Sequence, residues 1–94
     1  EVAVEAIMTA GELSPLAIFD KPDELTGPFF EETLYVTPSR LTAEEQADIL
    51  DVTARAARAL GLIHGPIHAE LRTHGGRARI VELGQLPAAR FVVL

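Results

Sequence analysis

A chain of 94 residues holds one small core, and a domain of this size buries only roughly 60 to 65% of the surface its unfolded form exposes. Apolar residues make up 48% and charged residues 23% of it, which excludes disordered, collagen-like and coiled-coil compositions. Fourteen acidic against eight basic side chains give a net charge of −6, the wrong sign for nucleic acid or an anionic membrane surface. The absence of cysteine excludes a disulfide framework and a zinc-thiolate site. No apolar run nears the roughly 20 residues that span a bilayer, and the acidic start EVAVEAIM is unlike a signal peptide. The expectation is a cytoplasmic protein with no membrane partner.

In chain order, residues 2 to 8 alternate as a strand, Gly11 offers a turn, and residues 13 to 20 (LSPLAIFD) form a second apolar run, predicting a hairpin. Pro15 has no N–H for a sheet ladder and belongs at an edge or at the start of pairing. Residues 20 to 32 combine Pro22, Gly27 and Pro28 with acids and predict a long loop of the kind that is often functional. TLYVT, residues 33 to 37 and closed by Pro38, predicts a short strand.

A helix is predicted from about Ala43 to Leu60. Thr42 is its N-cap, with Glu45 as capping-box partner, and Gly61 is its C-terminal stop. Ile49, Val52, Ala56 and Leu60 supply the expected buried stripe, and acids at the start with Arg55 and Arg58 near the end match the helix dipole. Residues 63 to 72 and 77 to 83 predict two strands joined by a turn at 74 to 76. The final RFVVL suggests a further short strand. The whole reads as α+β, a mainly antiparallel sheet of about five strands covered by one long helix.

GPIHAELR, residues 65 to 72, places His68, Glu70 and Arg72 on one strand face and Ile67, Ala69 and Leu71 on the other, because strand side chains alternate. Whether Glu82 on the next strand joins Glu70 depends on register. A three-residue turn puts Glu70 opposite Ile80 and His68 opposite Glu82, making the two acids diagonal neighbours on one face. A two-residue turn sends one acid to the other face. Paired strand carboxylates suit Mg²⁺, which prefers hard oxygens and commonly takes one or two protein carboxylates with nucleotide phosphates completing its shell. The same pattern also describes a plain solvated face.

EVAVEAI, LAIFDKPD, GPFFEETLYVTPS, the capped helix, LGLIHGPIHAELR and IVEL, in this order, resemble the catalytic lobe of ATP-grasp carboxylate-amine ligases, in particular members acting on amino acids. The resemblance covers residues 1 to about 83. It implies ATP and Mg²⁺ (or Mn²⁺) as cofactors, with Glu70 and Glu82 as the metal-binding acids. It implies that Glu31 or Glu32 faces the acceptor's ammonium group, while Glu5 reads either as a residue behind the ligands or on the nucleotide side or as an exposed strand acid, and His68 either orients Glu82 by a hydrogen bond or is merely packed or solvated. The reaction implied is acyl-phosphate formation from a carboxylate and ATP, followed by attack of an amine.

The pattern departs from the family after Leu83. Leu86 stands where an arginine is expected, Gly84 offers no side-chain oxygen, and Ala88, Ala89 and Arg90 replace a glycine loop, so residues 84 to 94 read as an atypical tail. The chain holds a single lysine, Lys21, and no GxxxxGK[ST] or GxGxxG, so another lobe is expected to grip the phosphates and the 94 residues alone are expected to be inactive. The alternative is a noncatalytic α+β interaction module derived from the family, whose open sheet edges favour a homo-oligomer. A metal-dependent hydrolase is disfavoured, because no HExxH occurs among His64, His68 and His74.

Overall fold

The computed structural model describes residues 1–20 and 39–85, together with the backbone pairing of residues 91–93. Four long strands carry the sheet: β1 (Val2–Thr9), β2 (Glu12–Asp20), β3 (Gly65–His74) and β4 (Arg77–Gln85), with the short β5 (Phe91–Val93) paired along β4. A single helix, α1 (Ala43–Ala59), lies between β2 and β3 in the chain. The strand order is β2-β1-β3-β4-β5 and every pairing is antiparallel. The expected class, an antiparallel sheet packed by a helix, is what forms. The strand expected at 33–37, the loop through residue 32 and residues 86–90 of the tail lie outside the described residues.

Both long hairpins turn on two residues with positive φ. Ala10 (51°) and Gly11 (80°) close β1–β2, and Gly75 (59°) and Gly76 (79°) close β3–β4. Such turns twist in the same sense as the flanking strands. The three-residue turn expected at 74–76 is therefore corrected, since His74 already pairs with Arg77.

Each hairpin also contains one bulge, and for the same reason. On β2, Ala17 pairs with Glu5 while Pro15 pairs with Ala6, leaving Leu16 as the extra, 62% exposed residue. On β4, Ile80 pairs with Leu71 while Glu82 pairs with Glu70, leaving Val81 extra. The inward residues Leu13 and Ile18, and likewise Ile80 and Leu83, are separated by an odd number of positions. Strict alternation would send one of each pair to solvent, and an inserted residue puts both back on the core side. Pro15 sits beside the first bulge on β2, which has β1 as its partner at one edge of the strand order, where its missing N–H costs least.

The helix begins as predicted. Glu45 donates its N–H to Thr42 Oγ1 at 3.1 Å and its carboxylate accepts the Thr42 N–H at 3.1 Å, a complete capping box. It ends with Leu62 N–H on the Ala57 carbonyl at 2.8 Å and Gly61 N–H on the Arg58 carbonyl at 3.1 Å, with Gly61 at φ 77°, the paired bonds of a Schellman motif. The buried stripe differs from the expected one. Ile49, Thr53 and Ala57 are fully buried, Val52 and Ala56 flank them, and Leu60 is left exposed at the cap. Thr53 escapes an apolar count because it carries a hydroxyl. That hydroxyl donates to the Ile49 carbonyl at 2.7 Å, which removes the penalty for burying it.

The helix covers one face of the sheet only. Val2, Val4, Ala6 and Met8 of β1 meet Ile67, Ala69 and Leu71 of β3, and Ile80 and Leu83 of β4, beneath Ile49 and Ala57. Polar clamps fix the helix in place. Asp48 accepts the Ala78 N–H at 2.9 Å, Arg58 donates to the Gly11 carbonyl at 3.1 Å, and Asp20 accepts from Ser39 Oγ at 2.6 Å and Arg40 N–H at 2.7 Å. Charge-assisted bonds of this kind are roughly twice as strong as neutral ones. The sheet's other face, free of the helix, carries the functional candidates.

Candidate functional site: the carboxylate face of the sheet

Because the pairings run continuously across β2, β1, β3 and β4, residues of the helix-free face fall into rows. One row reads Phe19, Ala3, Glu70, Glu82 and the next reads Ala17, Glu5, His68, Gly84. Glu70 and Glu82 are directly opposite each other instead of diagonal, so their Cβ atoms are about 4.5 to 5.5 Å apart. The bulge at Val81 decides this. A two-residue turn with regular pairing would set Val81 against Glu70 and turn Glu82 toward the core, whereas the bulge shifts the register by one beyond Ile80.

Two carboxylates facing across a strand pair repel one another, and a cation between them reverses the sign of that interaction. Both glutamates are half-buried, which weakens screening by water. Among the described residues no group of three or more His, Cys, Asp or Glu side chains converges on one point. Among the described residues the donor set is thus the two carboxylates. It fits Mg²⁺ or Mn²⁺ finished by water and phosphate, and does not fit an all-protein Ca²⁺ or Zn²⁺ cage.

His68 does not stand opposite Glu82, as the three-residue turn required; Gly84 does, and Glu5 flanks it on the other side. His68 Nδ1 lies 3.8 Å from Glu5 Oε1, with the two side chains 21% and 44% exposed. The register expected for His68 is thus corrected, and across β1 and β3 its imidazole approaches Glu5. Beyond the acids, Arg72 and Arg79 oppose each other nearer the Gly75–Gly76 turn, and Arg72 Nε lies 3.7 Å from Glu1 Oε1. Glu31 and Glu32 lie outside the described residues, as does Leu86.

Sequence reasoning placed Glu5 and His68 near the acids without seeing that they are neighbours, because cross-strand partners over sixty residues apart leave no local signal. A depression of about 140 Å³ opens beside them, lined by Ala3, Glu5, Phe19 and His68.

The ATP-grasp domain model matches residues 1–93 of this sheet-and-helix chain. The chain belongs to the ATP-grasp family. Its relatives include alanine–anticapsin ligase of Bacillus subtilis, 34% identical over 91 residues that make up 96% of this chain and 18% of that protein. The ligase of the same name from Bacillus amyloliquefaciens is 34% identical over 71 residues, 76% of this chain and 14% of the relative. The crystal structure of an L-amino acid ligase from Bacillus licheniformis aligns with a TM-score of 0.77 at 36% identity, covering 88% of this chain and 21% of that one. The chain therefore spans less than a quarter of the length of these relatives. No helix among the described residues is long and apolar enough to cross a membrane.

Proposed function

We propose that this lobe supplies the metal-binding acids of an ATP-dependent amino acid ligase, with Glu70 and Glu82 holding Mg²⁺ or Mn²⁺. One observation carries the reading: the two carboxylates are directly opposed on the helix-free face, in a chain of ATP-grasp descent. The relatives' names supply the substrate class, an amino acid or other carboxylate joined to an amine.

In this reaction a substrate carboxylate oxygen attacks the γ-phosphorus of ATP and ADP leaves, giving an acyl phosphate. The amine nitrogen then attacks the acyl carbon, the C–O bond to phosphate breaks, and the amine's proton is released. The divalent ion, when bound, neutralises charge on the transferring phosphoryl group. The chain's own part is positional. Glu70 and Glu82 are fixed on adjacent strands of a packed sheet, so their separation is set before nucleotide arrives, as efficient phosphoryl transfer requires.

The test is Glu70→Gln and Glu82→Gln in the intact ligase that carries this lobe. Amino-acid-dependent release of ADP should fall on the order of a hundredfold or more, and the requirement for Mg²⁺ should move to higher concentration. ADP release unchanged in both variants would falsify the assignment.

A further inference from the structure

The row beside the acid pair holds a second feature that metal binding does not use. Glu5, His68, Phe19 and Ala3 line the depression of about 140 Å³. In the sheet register Ala3, the small residue of its row, lies between Phe19 and Glu70, and Glu5 pairs with His68 in the next row. Ala3 is fully buried, so the surfaces left to an occupant among the described residues are the Phe19 ring, the Glu5 carboxylate and the His68 imidazole.

Glu5 sits one pleat period from the Ala3–Glu70 row, roughly 6.5 to 7 Å along the strand. No group of three such side chains that includes Glu5 converges on one point among the described residues, which leaves Glu5 outside the ion assigned to Glu70 and Glu82 and sets it off from them by that one-period spacing. It is the right distance for a different cation on a molecule whose other end reaches the acid pair. An ammonium group needs no cage: it donates up to three hydrogen bonds from a single point, and one carboxylate with an imidazole beside it is an adequate partner.

We infer that the Glu5–His68 pair binds the α-ammonium group of an amino acid substrate, whose short side chain packs on Phe19. The inference rests on the ligase reading above and extends it, by separating an amine-recognition row from the phosphoryl-transfer row. Glu5 is a binding residue, and His68 keeps its carboxylate turned toward the hollow. Both the amino acid activated as acyl phosphate and the amino acid that attacks it carry an ammonium group, and the experiment tells them apart.

The variant is Glu5→Gln in the intact ligase, which keeps the side chain's shape and removes its charge. Two assays are run with saturating ATP and Mg²⁺. In the first, hydroxylamine, uncharged at neutral pH, traps the acyl phosphate as a hydroxamate, and the KM of the activated amino acid is read. In the second, dipeptide formation gives the KM of the attacking amino acid. Loss of one charge-assisted hydrogen bond should raise one of the two KM values roughly ten- to hundredfold, with kcat at saturation within about twofold, and the assay that responds identifies which amino acid Glu5 holds. Glu5→Asp should recover part of the lost affinity.

Unchanged KM values in both assays, or a fall in kcat with both KM values intact, would overturn the inference. Neither result touches the parent reading so long as wild-type hydroxamate formation needs ATP and Mg²⁺ and is lost in Glu70→Gln. A wild type that makes no hydroxamate would remove the parent reading and this inference with it.

Discussion

The same strands build two faces that are held to opposite rules. On the helix side, Val4, Ile67, Ala69, Leu71 and Leu83 are fully buried against Ile49 and Ala57, and each contact lowers the free energy of the fold. On the other side, Glu70 faces Glu82 and Arg72 faces Arg79, like-charge oppositions that are unfavourable taken pair by pair, with Glu1 drawn to within 3.7 Å of Arg72. A protein selected for stability alone would have little reason to keep both pairs on one hairpin. Local conflict of this sort, set on a rigid and otherwise consistent scaffold, is characteristic of functional surfaces.

The comparison predicts that mutations on the two faces separate cleanly into effects on activity and effects on stability. The largest separation is expected at the acids: Glu70→Gln should cost the intact ligase on the order of a hundredfold or more in ADP release. Its thermal unfolding should move far less than that of a core variant, because Glu70 is only half-buried and its substitution leaves no cavity. A marked loss of stability in that variant would break the contrast between the faces.

On the helix side, Ile49→Ala should destabilise by about 2 to 4 kcal/mol in chemical denaturation, since Ile49 is fully buried. Thr53→Val sharpens the point. The Thr53 hydroxyl bonds a carbonyl already within the helix, so its removal leaves no donor stranded, and the change should stay within about 1 kcal/mol. An intermediate effect is expected where the helix meets the sheet. Asp48→Ala strands the Ala78 N–H and should cost about 1 kcal/mol, visible as faster hydrogen exchange at Ala78. The smallest effect belongs to the first turn. Ala10 holds φ at 51°, a conformation unfavourable to a side chain bearing Cβ, and Ala10→Gly should raise stability by about 0.5 kcal/mol.

Much of the scaffold was legible. Thr42 and Glu45 announce the helix start because capping is satisfied within four residues, and Gly61 announces its end because the left-handed position there favours glycine. The two hairpins follow from alternation and turn residues. The buried stripe was partly misread at Thr53 and Leu60: a polar residue can be buried when its hydroxyl finds a local carbonyl, and an apolar residue at a helix end can lie beyond the sheet.

The acid pair shows where sequence reading ends. The residue types, their strands and the face of Glu70 were available from alternation alone. The face of Glu82 was not, because turn length and bulge each shift the register by one, and only their sum fixes which way a side chain points. A signal for the bulge was present in the odd spacing of Ile80 and Leu83, two apolar residues that must both reach the core.

By itself, then, the sequence determined the helix and its caps, the antiparallel strands and the resemblance to ATP-grasp ligases, because each depends on contacts between near neighbours or on residue order. Tertiary structure alone decided that Glu70 meets Glu82 head-on, that His68 meets Glu5 and that Asp48 reaches Ala78. Those pairings join residues brought together by sheet register and helix packing, and register is settled by burying one whole face at once.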